Sequence, residues 1–265
     1  MARTWKEWKL ERDRRSRIVP IACRRPSECR GEIPEWIDST DHRRRRPIRF
    51  AALEKYTQQK LLGEVWSRPD LSRRDRSVIT VAEVIARNQA SDMPFYFKVA
   101  LDSGVNPAEL SEIITHLAFY SGFPNAMEAV AAAKTIFAER GITIDQLPIA
   151  SPTLLLIDEE AEAKRATTVE TNVGPVSVGV VKYTGELFTD LWLRPDLDRS
   201  LVTISALVAT GQVAQVTFHL NKAMDNGLTK AQASEVLTHL AFYTGWPNVM
   251  SAVPVFKDVF EKRGV

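Results

Sequence analysis

The sequence predicts an all-α protein in which one helical unit is written twice. Three observations carry this. Thr-His-Leu-Ala-Phe-Tyr-Ser-Gly-Phe-Pro-Asn (115–125) recurs as Thr-His-Leu-Ala-Phe-Tyr-Thr-Gly-Trp-Pro-Asn (238–248), and Ser-Arg-Pro-Asp-Leu (67–71) recurs as Leu-Arg-Pro-Asp-Leu (193–197). From Asp75/Asp198 onward the offset holds at 123 residues, with 18 identities in the 31 positions of 100–130 against 223–253. Few segments alternate as strands do, whereas apolar runs and helix-ending glycines recur at matched places. A fixed internal period makes the repeat the structural unit, and positions where the copies disagree are where a site is sought.

Each element follows in order. Arg76 to Ala86 and Arg199 to Ala209 are apolar runs without alternation, which predicts buried helices with Asp75 and Asp198 as N-caps. The second helix of each copy ends at Asp-Ser-Gly (102–104) or Asp-Asn-Gly (225–227), where the glycine suits the position after a helix. Asn106-Pro107-Ala108-Glu109 and Thr229-Lys230-Ala231-Gln232 then read as N-caps with Glu or Gln three residues on. The third helix should end near Tyr120/Tyr243, and the fourth should run from Asn125/Asn248 to Arg-Gly at 140–141 and 263–264. The domain reading is a basic extension over 1–50, a first repeat over 51–141, a linker over 142–179 with one short helix, and a second repeat over 180–265.

Charge is unevenly distributed. Residues 1–50 hold 15 Lys+Arg against 8 Asp+Glu, so a +7 head precedes a −5 body within a total of +2. Arg43 to Arg46 and Arg12, Arg14, Arg15 and Arg17 offer contacts to phosphates, yet such a run is first of all a solvated extension; nucleic acid enters as a partner only through this head. No apolar stretch suits a signal segment or membrane span, and a cytoplasmic protein without a membrane partner is expected. Cys23 and Cys29, both in the head, are read as reduced thiols, because two cysteines without a nearby histidine do not make a zinc site. No metal and no cofactor are expected.

His219 lies eight residues before Gly227, and His239 ten residues after Thr229 on the returning arm of a hairpin. At about 1.5 Å per residue the two imidazoles come to similar heights, which predicts one shared pocket in the second repeat. The first repeat would pair Tyr96 with His116. Gln212 and Gln215 precede His219 on its own helical face and are candidate binders of substrate oxygen. Arg199, like its mate Arg76, offers a guanidinium to an anion, and Tyr243, Trp246 and Pro247 offer apolar walls. With Asp92, Met93 and Pro94 at its centre, the first repeat reads as the degenerate, structural half.

The ordered set of histidine, Asp-Asn-Gly-Leu-Thr turn, Ser-Glu-Val-Leu-Thr-His-Leu-Ala-Phe-Tyr and Gly-Trp-Pro-Asn resembles the carboxymuconolactone decarboxylase family, which includes AhpD-type alkylhydroperoxidases. The resemblance covers about 57–141 and 180–264 and implies two tandem AhpD-like helical bundles. It also implies a homotrimer with pseudo-sixfold symmetry, for which the Ala129–Ala133 run supplies an apolar face. The peroxidase branch carries Cys-x-x-Cys four residues before a histidine. Here Gln212 and Gln215 precede His219, and Gln89 and Asp92 precede Tyr96, so dithiol chemistry at that site is excluded. The decarboxylase branch carries a glutamate where this chain has Gln215, which exchanges hydrogen bonds but no proton.

The leading expectation is a cofactor-independent lyase, decarboxylase-like or isomerase-like, acting on a small anionic lactone or keto acid. His219 would move the proton, His239 would orient it, and Gln212, Gln215, Arg199, Tyr243 and Trp246 would bind substrate. The alternatives are a non-catalytic helical oligomerisation scaffold and, as the minor one, a thiol peroxidase using Cys23 and Cys29.

Overall fold

The computed structural model describes Thr4, Glu7, Glu11 and residues 50–265 except Asp196. The expectations for the Arg-rich head, Cys23 and Cys29 lie outside the described residues. Among these residues the secondary structure is helical without strands. Residues 148–199 form one compact unit; 50–147 together with 200–265 form a second, which holds nearly all of both repeats.

The second unit starts with a short helix α1 (Ala51–Lys55) that continues as a π-helical turn over Tyr56–Leu62 and a 3-10 turn over Val65–Ser67. The first repeat then gives α2 (Arg73–Ala86), α3 (Met93–Asp102), α4 (Pro107–Tyr120) and α5 (Phe123–Glu139). The stretch 142–179, expected to hold one short helix, instead carries the fifteen-residue α6 (Glu159–Val173). Asp158 caps α6 by accepting from the Ala161 amide, and Glu159, Glu160 and Glu162 in its first turn complement the helix dipole. After α7 (Val178–Leu193), the second repeat gives α8 (Arg199–Ala209), α9 (Val213–Asp225), α10 (Lys230–Ala241) and α11 (Trp246–Arg263).

Local chemistry sets the boundaries. Asn106/Glu109 and Thr229/Gln232 form the two capping boxes that the sequence predicts. Asp75 is not an N-cap: Ser72 accepts from the Asp75 amide, so α2 starts a turn earlier than expected. Pro94 starts α3 rather than kinking it. The last helices begin at Phe123 and Trp246, two residues before the expected asparagines, behind Gly122 (φ 91°) and Gly245 (φ 88°), whose left-handed backbone favours glycine. Asn125 and Asn248 instead donate to the Ala86 and Ala209 carbonyls and so tie off the ends of α2 and α8.

α2 is buried on every side, with Ile79, Val81, Ala82, Val84 and Ile85 wholly inaccessible. A helix that is apolar all round belongs in the core. It packs on α3, α4 and α5 of its own repeat and on α10 of the other. Embedded in this apolar helix are Arg76, Thr80 and Glu83, all at 0 % exposure. Their i, i+4, i+7 spacing places them on one face, and buried polar groups need partners.

Candidate functional site

The polar face of α2 meets α10. Arg76 Nη2 donates to Glu235 Oε1 at 2.8 Å and to the Arg68 carbonyl, while Arg68 Nε donates to both Glu235 oxygens. One buried carboxylate thus answers two guanidiniums, and Arg76 Nε and Nη1 keep no hydrogen-bond partner. One turn on, Thr80 Oγ1 lies 2.8 Å from His239 Nε2. The Thr80 hydroxyl donates its proton to the Arg76 carbonyl, so it accepts from an Nε2–H, and the imidazole carries its lone pair on Nδ1. Burial, with Arg76 nearby, pushes His239 down to about 3, so the ring is neutral at ordinary pH.

Further along the same face is Glu83. Burial raises its carboxyl to about 7; Arg87 acts against this and Asp92 with it. Oε1 receives a 3.4 Å contact from the Gln89 amide, and Oε2 has no partner. A carboxylic acid that titrates near neutrality is what general acid–base chemistry requires. The aromatic wall is Trp66, whose indole N–H donates to the Tyr243 hydroxyl at 2.8 Å. Tyr243 stacks on His239 with 4.9 Å between centroids and meets Tyr96 edge-on at 5.6 Å. Between this cluster and solvent stand the half-buried Gln89 and Tyr96 and the exposed Arg87 and Asp92.

The same frame recurs across α4 and α8. His116 Nε2 lies 2.7 Å from Thr203 Oγ1, Tyr120 stacks on His116 at 4.7 Å, and His219 meets Tyr120 edge-on at 5.5 Å. At the matched positions the chemistry differs: Ala206 stands for Glu83, Thr210 for Arg87, Gln215 for Asp92 and His219 for Tyr96. Desolvation, then Lys222, lowers His219 to about 4.

These distances correct the expected pocket. His219 and His239 do not share one: His239 goes with Tyr96 and Tyr243, and His219 with His116 and Tyr120. The physical reason is that α10 turns its histidine face to α2 of the other repeat, while α9 packs on α11. The two imidazoles were expected to face each other across one hairpin. Gln212 and Gln215 are exposed and do not join His239. Trp246 is exposed and lines an apolar groove with Phe242, Phe256 and Phe260, away from the buried cluster. Arg199 is buried and donates to the Leu191 and Pro195 carbonyls; its mate Arg76 holds the place beside Glu235. The first repeat, read from its sequence as the structural half, supplies Arg76, Thr80 and Glu83 to this face through α2. Glu83 was legible as an acid inside Val81-Ala82-Glu83-Val84-Ile85 that the second copy replaces by Ala206.

The model of the carboxymuconolactone decarboxylase family matches residues 51–135 and 183–258, more than half of the chain. The chain is similar to a 4-carboxymuconolactone decarboxylase of Acinetobacter baylyi, 34% identical over 85 residues that cover 32% of this chain and 63% of the relative. It is also similar to a nitrosuccinic acid decarboxylase of Metarhizium robertsii, 35% identical over 75 residues, covering 28% and 52% respectively. The aligned part thus spans between half and two thirds of each of these relatives. Among the described residues no helix is long and apolar enough to cross a membrane.

Proposed function

We propose that this chain, which belongs to the carboxymuconolactone decarboxylase family, is a cofactor-independent carboxy-lyase or isomerase that acts on a small anionic lactone or keto acid where α2 meets α10. The observation that carries this reading is Glu83, a buried acid raised to about 7 with one oxygen unpartnered, on the same helix face as a buried guanidinium with two N–H groups to spare. A guanidinium holds a carboxylate or a developing enolate oxygen, and an acid poised near neutrality moves the proton. His239, neutral and fixed by Thr80, orients rather than shuttles. The names of both relatives, decarboxylases of small organic acids, point the same way.

A second reading keeps His219 as the proton carrier, beside Tyr120 and His116, with Gln212 and Gln215 as binders. Its support is a half-buried imidazole at a position where the other repeat has Tyr96. The test for either reading is to incubate the purified chain with lactone carboxylates and β-keto acids and follow CO2 release and ring isomerisation. Turnover of at least one compound is expected. Silence across the set from a folded protein would favour the oligomerisation scaffold instead.

The assembly reading is a homotrimer in the cytoplasm. Its support is an apolar stripe repeated on both copies: Phe123, Met127 and Val130 on α5, and Trp246, Met250 and Val253 on α11, all exposed and related by the 123-residue offset. Exposed apolar patches of this kind mark interaction sites. Light scattering should report about three times the 29.8 kDa chain mass, and a stable monomer at micromolar concentration would remove this reading.

A further inference from the structure

We infer that Glu83, held as the neutral acid when an anion occupies Arg76, is the proton donor that quenches the carbanion left by decarboxylation, and that substrates therefore carry an anchoring carboxylate several bonds from the reacting carbon. This rests on the lyase reading and assigns roles within the same site.

The geometry supports it in three ways. Arg76, Thr80 and Glu83 occupy successive turns of one buried helix face, with about 10 Å of backbone rise from Arg76 to Glu83, so an anion held at Arg76 leaves its reactive end toward the acid. Both ends offer unsatisfied buried atoms, Nε and Nη1 of Arg76 and Oε2 of Glu83. Buried polar atoms without partners are rare in native interiors, and each of these can still form a hydrogen bond with a group that enters the site. Between them Thr80 Oγ1 is already engaged with His239 and the Arg76 carbonyl and competes for neither end.

Charge decides the protonation state. The charges that act on Glu83 are Arg87 at the end of its own helix and Asp92 before α3; further along the α2–α10 face come Arg76 with Glu235, His239 with Thr80, and Tyr243 with Tyr96. With Arg68 paired to Glu235, the cluster carries three guanidiniums against Glu235 and Asp92, so its charge is +1 when Glu83 is protonated and zero when it is ionised. A carboxylate arriving at Arg76 is therefore better accommodated beside the acid form, and its field raises the affinity of Glu83 for a proton further. The step balances. The C–C bond to the leaving carboxylate breaks, CO2 departs, and the electron pair passes into the adjacent carbonyl as an enolate. Glu83 O–H then gives its proton to carbon and the carboxylate recovers one from water, so each turnover consumes one solvent proton. At the matched place in the other repeat Ala206 has no proton to give, and one such centre results per chain.

The test needs no turnover. Malonate is titrated into the full chain by calorimetry near pH 7 in phosphate and in Tris, whose ionisation enthalpies differ, so any proton taken up with the anion shows as a buffer-dependent heat. Uptake is expected, largest just above pH 7 and absent below about pH 5.5, where Glu83 is already protonated. Glu83→Gln should bind malonate with no uptake, and Arg76→Gln should weaken binding tenfold or more. Because the pH dependence of uptake is read on the unaltered protein, the result does not depend on how the variants fold. Malonate binding without uptake, uptake that survives in Glu83→Gln, or no malonate binding overturns the assignment. Substrate turnover alongside any of these would leave the lyase reading standing and remove only these roles.

Discussion

The two polar faces of the second unit share one frame and differ in their chemistry. In each, a threonine on the first helix of one repeat meets a histidine on the third helix of the other, and a tyrosine one turn on stacks over that histidine. Across α2 and α10 the frame holds a buried acid, Glu83, a rim of Arg87 and Asp92, and Tyr96 against Tyr243. Across α8 and α4 the same places hold Ala206, Thr210, Gln215 and His219. Duplication has kept what positions a ring and changed the titratable groups around it. The Thr–His–Tyr frame is thus common to both faces, whereas the buried acid belongs to the α2–α10 face alone.

The comparison breaks most visibly at Arg76. Truncating a fully buried guanidinium leaves Glu235 with only the half-exposed Arg68, and Arg76→Ala should cost about 3 kcal/mol, the low end for a broken buried pair. The exposed pair Lys164–Glu160 is the contrast: Lys164→Ala should change stability by no more than about 0.5 kcal/mol in denaturant unfolding.

Glu83 gives the next effect, with a definite sign. Its folded-state pKa of about 7 lies above the ordinary 4.5, so the stability it contributes is full below pH 4.5 and is lost as pH rises through 7. Glu83→Gln has no such loss, and its stability relative to the parent should rise by up to about 3 kcal/mol between pH 5 and pH 8. His239 works in the opposite direction, since its depressed pKa near 3 makes the fold lose stability as pH falls below 6.5. Ala206→Glu would install an acid on the second face and should destabilise more at pH 8 than at pH 5. Urea melts across that pH range measure all of these, and a flat Glu83→Gln difference would contradict the burial of the acid.

Thr80→Val and Thr203→Val sharpen the shared part. Each removes the hydroxyl that faces a buried histidine and should cost about 1–2 kcal/mol. The two losses should agree closely, because the frames are alike; a large disparity would show that the faces differ in architecture and not only in chemistry. Smallest of all, Thr229→Ala removes an N-cap of α10 and should cost about 1 kcal/mol in thermal unfolding.

How much of this was legible depends on the range of the interaction. Capping boxes at Asn106/Glu109 and Thr229/Gln232 are decided within four residues, and the repeat is explicit, so the helices and their order could be read directly. The pairing of histidines was not legible, because it depends on which helix α10 packs against. Helical spacing places His219 and His239 at similar heights, but it cannot say that α10 docks on α2 of the other repeat. Glu83 is legible: an acid within a run of five otherwise apolar residues, exchanged for alanine in the second copy, is a disagreement between the repeats that the sequence itself displays. The Cys-x-x-Cys-His spacing falls on 89, 92 and 96 and their mates, all outside that buried face of α2.

Whether the acid on α2 or the histidine on α9 moves the proton is decided by the turnover rates of Glu83→Gln and His219→Ala on the same substrate, with folding verified by circular dichroism. Glu83→Gln is expected to lose about a hundredfold or more in kcat and His219→Ala to stay within about threefold of the parent. A silent Glu83→Gln beside a crippled His219→Ala would contradict this and move the chemistry to the face of α4 and α8.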